Sequence, residues 1–579
     1  MNLIFNKIYY YYHTVKYLTS YQILFYIYYK IKRKFISFFP SYYYKMLQSN
    51  CSQYLSIKNI KLNNSFIINY NFDPNDIIKN RYNFLNVYKD LGVDIDWNNP
   101  ELNKGTRLWK LNLNYHDYLI EVARAYFKTG DKKYADYIIK HIQSWVVYNP
   151  IGTVDFYKDN WNSYAISNRV ISWIKVFPVL EHKLGSNYSS NKIINFFLKN
   201  LRIQLEYLYR NIEYDLRANH LLENGFALLF GAYFFRDDRL FLKAENILKT
   251  EINEQILNDG YHIELSPMYQ QHIAHRLLDS FNLMSNNKFI LMDQNTKSLS
   301  DELLNREKFL LNSIENASSM LISCLSEITF NNGDIPLFND SAFNVYPSTD
   351  QLISYSESLN INISSMQLDE SGYRTYKNKN YECIMNVGGI KAHYMPGHAH
   401  SDIFSFILYI KNQPFIVDTG TSTYDFGKRR ILERLTKSHN TVQIKDFEQL
   451  ETWSSFRVAN RNNAKIILDR TDEIKAELNY KKNKLKHIRH FQFKNNNLKI
   501  FDKVLSNYKS KAYLHLHPNI KVKIKDNIII TNLCSIQIIG SDNFYLDNYM
   551  YAPEFNTLIK SKVIIIEFDS ELETRIEIV

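Results

Sequence analysis

The segment Gly397-His398-Ala399-His400-Ser401-Asp402, followed by Asp418 and by Ser438-His439-Asn440, carries three imidazoles and a carboxylate on short, strand-like stretches. Imidazole nitrogen and carboxylate oxygen suit Zn²⁺, and three protein ligands with one open position is a usual arrangement for that ion. The set holds one histidine more than such a site needs, and a spare imidazole beside a metal is placed to act as a general base. If His398 and His400 stand on one regular strand they point to the same face, where Asp402 joins them as a rival ligand.

Two earlier segments also bear chemistry. Asn219-His220-Leu221-Leu222-Glu223-Asn224-Gly225 precedes an apolar run. On a helix His220 and Glu223 share a face, so that Glu223 can orient the imidazole while Asn219 and His220 donate to a ligand carboxylate. The same text reads as a plain helix start capped by Asn219. In Ser266-Pro267-Met268-Tyr269, Ser266 is placed as an N-cap and Pro267 in the first turn. Tyr269 then lies at the positive end of a helix, where the dipole, a metal or an imidazolium favours phenolate and proton shuttling.

The elements that position these residues follow from periodicity. From about Leu108 to Val345 the pattern is helical: Ala135, Ile138, Ile142 and Trp145 form one apolar face, and Leu119, Val122, Ala123 and Tyr126 another. Gly130 and Asp131 between them supply a C-cap and an N-cap, giving a helical hairpin. The corner 125–131 is echoed at 232–238, as expected of stacked hairpins closed into a toroid or open as a solenoid. Residues 346–370 turn polar, as a linker would. From 371 to 579 the period becomes two, with Phe404, Phe406 and Leu408 alternating, as do Leu498, Ile500, Asp502 and Val504, and short strands are expected at 465–468, 485–493, 527–531 and 562–568, which reads as an antiparallel β-sheet domain. Helices first and strands second is the α+β multidomain class.

Composition sets limits. A chain of 579 residues exceeds one ordinary core, and 45% hydrophobic with 22% charged residues is globular. The net charge of +11 favours polyanions, and with no helix-turn-helix, zinc-finger or phosphate-loop pattern, nucleic acid is set aside in favour of acidic polysaccharide. The four cysteines, Cys51, Cys324, Cys383 and Cys534, are widely spaced and read as buried thiols. Residues 1–50 are basic and aromatic, with no run long enough to span a membrane. They read as helices packed on the main domain in preference to a peripheral membrane contact.

Together these segments, with Trp161-Asn162-Ser163-Tyr164, Ser167-Asn168-Arg169, Trp173, Asn332-Gly333-Asp334 and Asp418-Thr419-Gly420, resemble the heparinase II/III-like polysaccharide lyases and related alginate lyases from about Trp109 to Val579. The resemblance implies an incomplete α/α toroid over residues 51–345, an antiparallel β-sheet domain over 371–579, a cleft between them, and β-elimination on a uronate-containing acidic glycan. It implies that Asn219, His220 and Glu223 neutralise the uronate carboxylate, that Tyr269 and His398 move protons, and that Arg169 and Asn224 contact substrate. It further implies that His400, Asp418 and His439 hold a structural Zn²⁺. Two alternatives stand beside it: a zinc-dependent or carboxylate hydrolase drawing on Asp334 and Asp340, and a non-catalytic glycan-binding or assembly factor. The family norm implies a periplasmic or cell-envelope location; the lack of a clean signal peptide pattern points to the cytoplasm or a membrane surface instead.

Overall fold

A computed structural model describes residues 2–49, 60–62, 71–97, 99, 102, 107–153, 155–185, 191–287, 297–525 and 528–579. Cys51 and Asn527 lie outside the described residues; Cys324, Cys383 and Cys534 are free and buried.

The N-terminal part is helical: α1 (Asn2–Val15), α2 (Ser20–Phe38), α3 (Pro40–Ser49), α4 (Pro74–Ile77), α5 (Arg107–Tyr115), α6 (Leu119–Thr129), α7 (Lys132–Tyr148), α8 (Ser163–Leu184), α9 (Lys192–Arg210), α10 (Ala218–Phe235), α11 (Asp238–Gln255), α12 (Pro267–Asn286), α13 (Lys297–Ile328) and α14 (Thr349–Ser358). The α6–α7 corner is built as its sequence predicts: Gly130 takes φ +71° and closes α6, and the Asp131 side chain accepts from the Lys133 N–H at 3.0 Å. The 232–238 echo is the same device, with Arg236 left-handed and Asp237 capping α11. The paired helices close into an incomplete α/α toroid whose inner helices, α8, α10 and α12, are buried along nearly their whole length. The segment expected as a linker, 346–370, is not one throughout: α14 occupies part of it, started by a Ser348–Gln351 capping box.

The C-terminal part is antiparallel β-structure. An eight-stranded sheet and two four-stranded sheets share one apolar core that includes Phe406, Phe491, Ile500 and Ile564. The strand Leu485–Lys494 alternates buried and half-buried residues along its length, as period-two patterning demands. Its inward Arg489 pairs with Asp502 at 2.7 Å and donates to the carbonyls of Phe404 (2.8 Å) and Asn440 (2.7 Å), so that a core arginine fixes the loops carrying the Asp402 and His439 segments. Asn440 braces the same place, donating to the Phe406 and Val417 carbonyls and accepting the His515 N–H.

His398, His400 and Asp402 are not on a strand. They lie in a turn-rich loop between the strands Tyr381–Asn386 and Phe406–Ile410, and the alternation that seemed to include Phe404 breaks there because Phe404 is left-handed (φ +67°). The N-terminal helices pack across both halves: α1 through Trp453 Nε1 to Thr14 (3.1 Å) and Tyr9 to Glu451 (3.0 Å), α2 through Tyr29 and Lys32 to the carbonyls of Ile212 and Arg210.

Candidate active site

The site forms where the loop 397–402 of the β domain meets the starts of α10 and α12. Ser266 caps α12 and Pro267 opens it, as the sequence pattern predicts, which puts Tyr269 in the first turn. The Tyr269 ring lies 4.2 Å from the His398 ring, centroid to centroid, and its hydroxyl is 3.4 Å from that of Tyr424. Burial, with Tyr424, Tyr346 and Tyr164 nearby, pushes the Tyr269 phenol well above its ordinary value. The phenolate expected from the helix end is therefore not the resting form; desolvation outweighs the dipole.

His398 is bracketed by two carboxylates of the helical half. Its Nδ1 is 2.8 Å from Asp340 Oδ2, and its Nε2 is 3.6 Å from Glu264 Oε2. Asp340 also binds His400 Nε2 at 2.8 Å and takes a two-pronged contact from Arg430, all of them buried. Burial alone would raise the Asp340 carboxyl, but Arg430 and the two histidines hold it well below the usual range. An ionised carboxylate only accepts, so it fixes both tautomers: His398 carries its hydrogen on Nδ1 and His400 on Nε2. The Nε2 of His398 is the ring atom that faces Glu264. Both histidines do face one group, as the spacing of two anticipates, although no strand holds them.

Asn219 lies inside the first turn of α10 and does not cap it. The Glu264 carboxylate takes that role, accepting from the Asn219 backbone N–H (3.1 Å) and from its side-chain amide (2.8 and 2.9 Å). Three residues that directly precede site segments, Ala218, Leu265 and Asn339, have φ between +49° and +56°. For Ala218 and Leu265 this conformation costs on the order of 1–3 kcal/mol each.

Glu223 does not orient His220. It pairs with Arg276 at 2.8 Å and His272 at 3.1 Å, and these hold it ionised against its burial. The partner of His220 is Glu213, Oε1 to Nδ1 at 3.1 Å, which outweighs burial and raises the imidazole above its ordinary value. His220, with a side chain 27% exposed, lies beside the Tyr164 ring, 4.8 Å away, with its protonated form favoured by Glu213. Arg169 and Asn224 are placed away from any open surface. Arg169 is fully buried on the face of Trp145 and bonded to Gln204, Asn114 and Asn160; Asn224 is buried against Glu213 and Ser167. Both are scaffold residues, since their donors are used inside the toroid.

His439 and Asp418 form a buried pair, Nδ1 to Oδ2 at 2.8 Å, and the His439 ring lies 5.4 Å from that of His400. His400 Nδ1, His439 Nε2 and Asp402 Oδ2 are buried without a hydrogen-bond partner. Their donor types and free atoms fit a zinc ion. Among the described residues, no three His, Cys, Asp or Glu side chains are gathered closely enough to hold a metal as they stand.

Glu213, Glu264, Tyr424 and Arg430 were not singled out from the sequence. Glu264 lies among the residues leading to Ser266, and Tyr164 in the Trp161 motif, but nothing local marks a glutamate that reaches another helix or a basic pair, Arg429-Arg430, that turns inward.

Replacing Asp340 by Asn removes the charge that Arg430 and two histidines share. The variant is expected to lose about 3–5 kcal/mol of stability, the usual cost of leaving one member of a buried ion pair unpaired. Denaturant unfolding checks this, and an unchanged midpoint contradicts it.

The family profile for the heparinase II/III N-terminus matches residues 7–351, and that for the heparinase II/III-like C-terminal domain matches 361–579. The heparin-sulfate lyase of Pedobacter heparinus is 26% identical over 388 residues, covering 62% of this chain and 55% of that protein. The heparin-sulfate lyase of Bacteroides stercoris is 28% identical over 204 residues, 32% of this chain and 29% of that one. The matched regions thus span about half or less of these relatives. A crystal structure of heparinase III superposes with a TM-score of 0.70 at 17% identity, covering 95% of this chain and 91% of that one, which establishes the shared two-domain fold. The matches begin far upstream of Trp109 and take in the N-terminal helices, and the chain belongs to the heparinase II/III-like family.

Proposed function

We propose that this protein is a polysaccharide lyase that cleaves a uronate-containing glycosaminoglycan by β-elimination. The observation that carries the reading is the close approach of Tyr269, its phenol held protonated by burial, to the ring of His398, 4.2 Å between centroids, with His398 Nδ1 bound to Asp340. The heparin-sulfate lyases among its relatives support the substrate class, as does the net charge of +11.

In this reading the His220 cation, held charged by Glu213, neutralises the uronate carboxylate, with Asn219 beside it. Neutralisation makes the C5 proton acidic and stabilises the enolate-like charge that develops. His398 Nε2 takes the C5 proton; the C5–H electrons form the C4–C5 double bond; the C4–O4 bond breaks; and the Tyr269 hydroxyl gives its proton to O4. Proton return from His398 to Tyr269 closes the cycle, over rings 4.2 Å apart. Epimers that present C5–H on the opposite face would exchange the two roles.

The hydrolase alternative has less support. Asp340 is held ionised by three partners and so is unsuited to act as a protonated general acid, and Asp334 accepts hydrogen bonds from Tyr409 and Asn332.

Absorbance in the ultraviolet, where an unsaturated uronate absorbs, tests the proposal against heparan sulfate, heparin, hyaluronan, chondroitin and alginate. Wild type is expected to raise absorbance on at least one, and Tyr269→Phe to lower kcat by about 10²-fold or more. A flat trace with new reducing ends would favour hydrolysis; a flat trace without them, a binding factor.

We further propose that His400, Asp418 and His439 hold Zn²⁺, with Asp402 as the competing carboxylate. The free buried nitrogens of His400 and His439 support this. When bound, the ion would tie together the loops that shape the cleft. Metal analysis is expected to find about one zinc per chain, lost in His439→Ala together with chelator-sensitive thermal stability; wild type without zinc after saturation would contradict it. Location at the cell envelope accords with a polymer substrate.

A further inference from the structure

Helix α2 has two apolar faces. The inner one, with Tyr29 and Ile36, is buried and tied to the toroid by the Tyr29 hydroxyl and Lys32 ammonium. The outer one carries Leu24, Ile27, Ile31 and Phe38, which are 63, 52, 65 and 76% exposed. Their spacing of three, four and seven residues makes one stripe along the helix. It continues through the Phe35 ring, 5.3 Å from Phe39 and 6.4 Å from Tyr42 on α3. Ile8, Tyr11, Tyr12 and Val15 of α1, with Lys16 just beyond its end, line a shallow apolar groove. Of the 36 large apolar side chains exposed among the described residues, 15 lie between Ile8 and Tyr42, so these helices expose more apolar surface than the ordinary scatter of single side chains.

The charge that these helices themselves carry has one sign. No Asp or Glu occurs before Asp73, whereas residues 1–50 carry seven Lys and Arg. Lys16, Lys30, Lys34 and Lys45 are exposed. Lys30 and Lys34 flank the outer stripe of α2, three and four residues from Ile27, Ile31 and Phe38.

We propose that the outer face of the three N-terminal helices docks this protein on an anionic lipid surface. Exposed apolar side chains with basic residues alongside are what a helix needs to lie in the headgroup region. The inner face of α2 remains packed on the toroid, so docking requires no unfolding. None of the described helices is long and apolar enough to cross a membrane, which fits lying on it. A second copy of the chain is the less suitable occupant, because two such faces would bring lysines against lysines without acidic partners.

Vesicle co-sedimentation of the full chain tests this. The lipids are phosphatidylethanolamine with phosphatidylglycerol, or phosphatidylcholine alone. Wild type is expected to partition onto the anionic vesicles, and L24E/I31E/F38E to weaken that partition by about tenfold or more. Lys30→Ser with Lys34→Ser is expected to remove the preference for anionic over neutral vesicles. All positions are exposed, and unchanged melting curves establish that the variants fold. Wild type left in solution with anionic vesicles, or a triple variant that binds as well as wild type, would overturn the proposal. So would a wild-type dimer in light scattering that the triple variant converts to monomer, since the face would then join two copies.

Discussion

One buried carboxylate holds the site together. Asp340 comes from the loop that leaves α13, and its three partners, His398, His400 and Arg430, all come from the β domain. A charge taken this far from water is tolerated only when paired and hydrogen-bonded on every side. Satisfying Asp340 therefore requires the two domains to close in one register. That register brings His398 against Tyr269, orients both imidazoles, and sets the His400 ring 5.4 Å from that of His439, which pairs with Asp418.

The surrounding carboxylates extend the same logic. Glu264 caps α10 through Asn219, Glu223 locks α12 to α10 through Arg276, and Glu213 pairs with His220 and favours its protonated form. None of the three donates a proton: each receives one hydrogen bond or more and orients a cation or an amide. The left-handed residues Ala218, Leu265 and Asn339 mark where backbone geometry yields to this network. Strain at a site is affordable when the groups that follow it are over-determined by buried pairs.

How much of this was legible in the sequence depends on range. The toroid hairpins, the cap at Ser266–Pro267 and the alternating strands follow from local spacing, and the structure builds them as read. Asn219, His220, Tyr269 and His398 stood out as polar and titratable groups within apolar helices and a short loop, and the fold brings Tyr269 against His398 and links His398 to Asn219 through Glu264. Long-range partners were not legible. Glu223 looked like the partner of His220 because the two share a helix face, yet Glu213, outside the helix, fills that role. Arg169 looked like a substrate contact, yet its guanidinium is spent on Gln204 and backbone carbonyls inside the toroid. Asp340 read as a hydrolytic carboxylate because nothing near it in sequence shows that an arginine ninety residues away, Arg430, meets it.

The central claim is elimination at a site built from Tyr269 and His398. Cleavage in water enriched in heavy oxygen, followed by mass spectrometry of the fragments, tests it most directly. Elimination breaks the C4–O4 bond without adding water, so the account predicts unlabelled fragments, one carrying a double bond. Heavy oxygen in the new chain ends, with no unsaturation, would show that water had attacked and would contradict it.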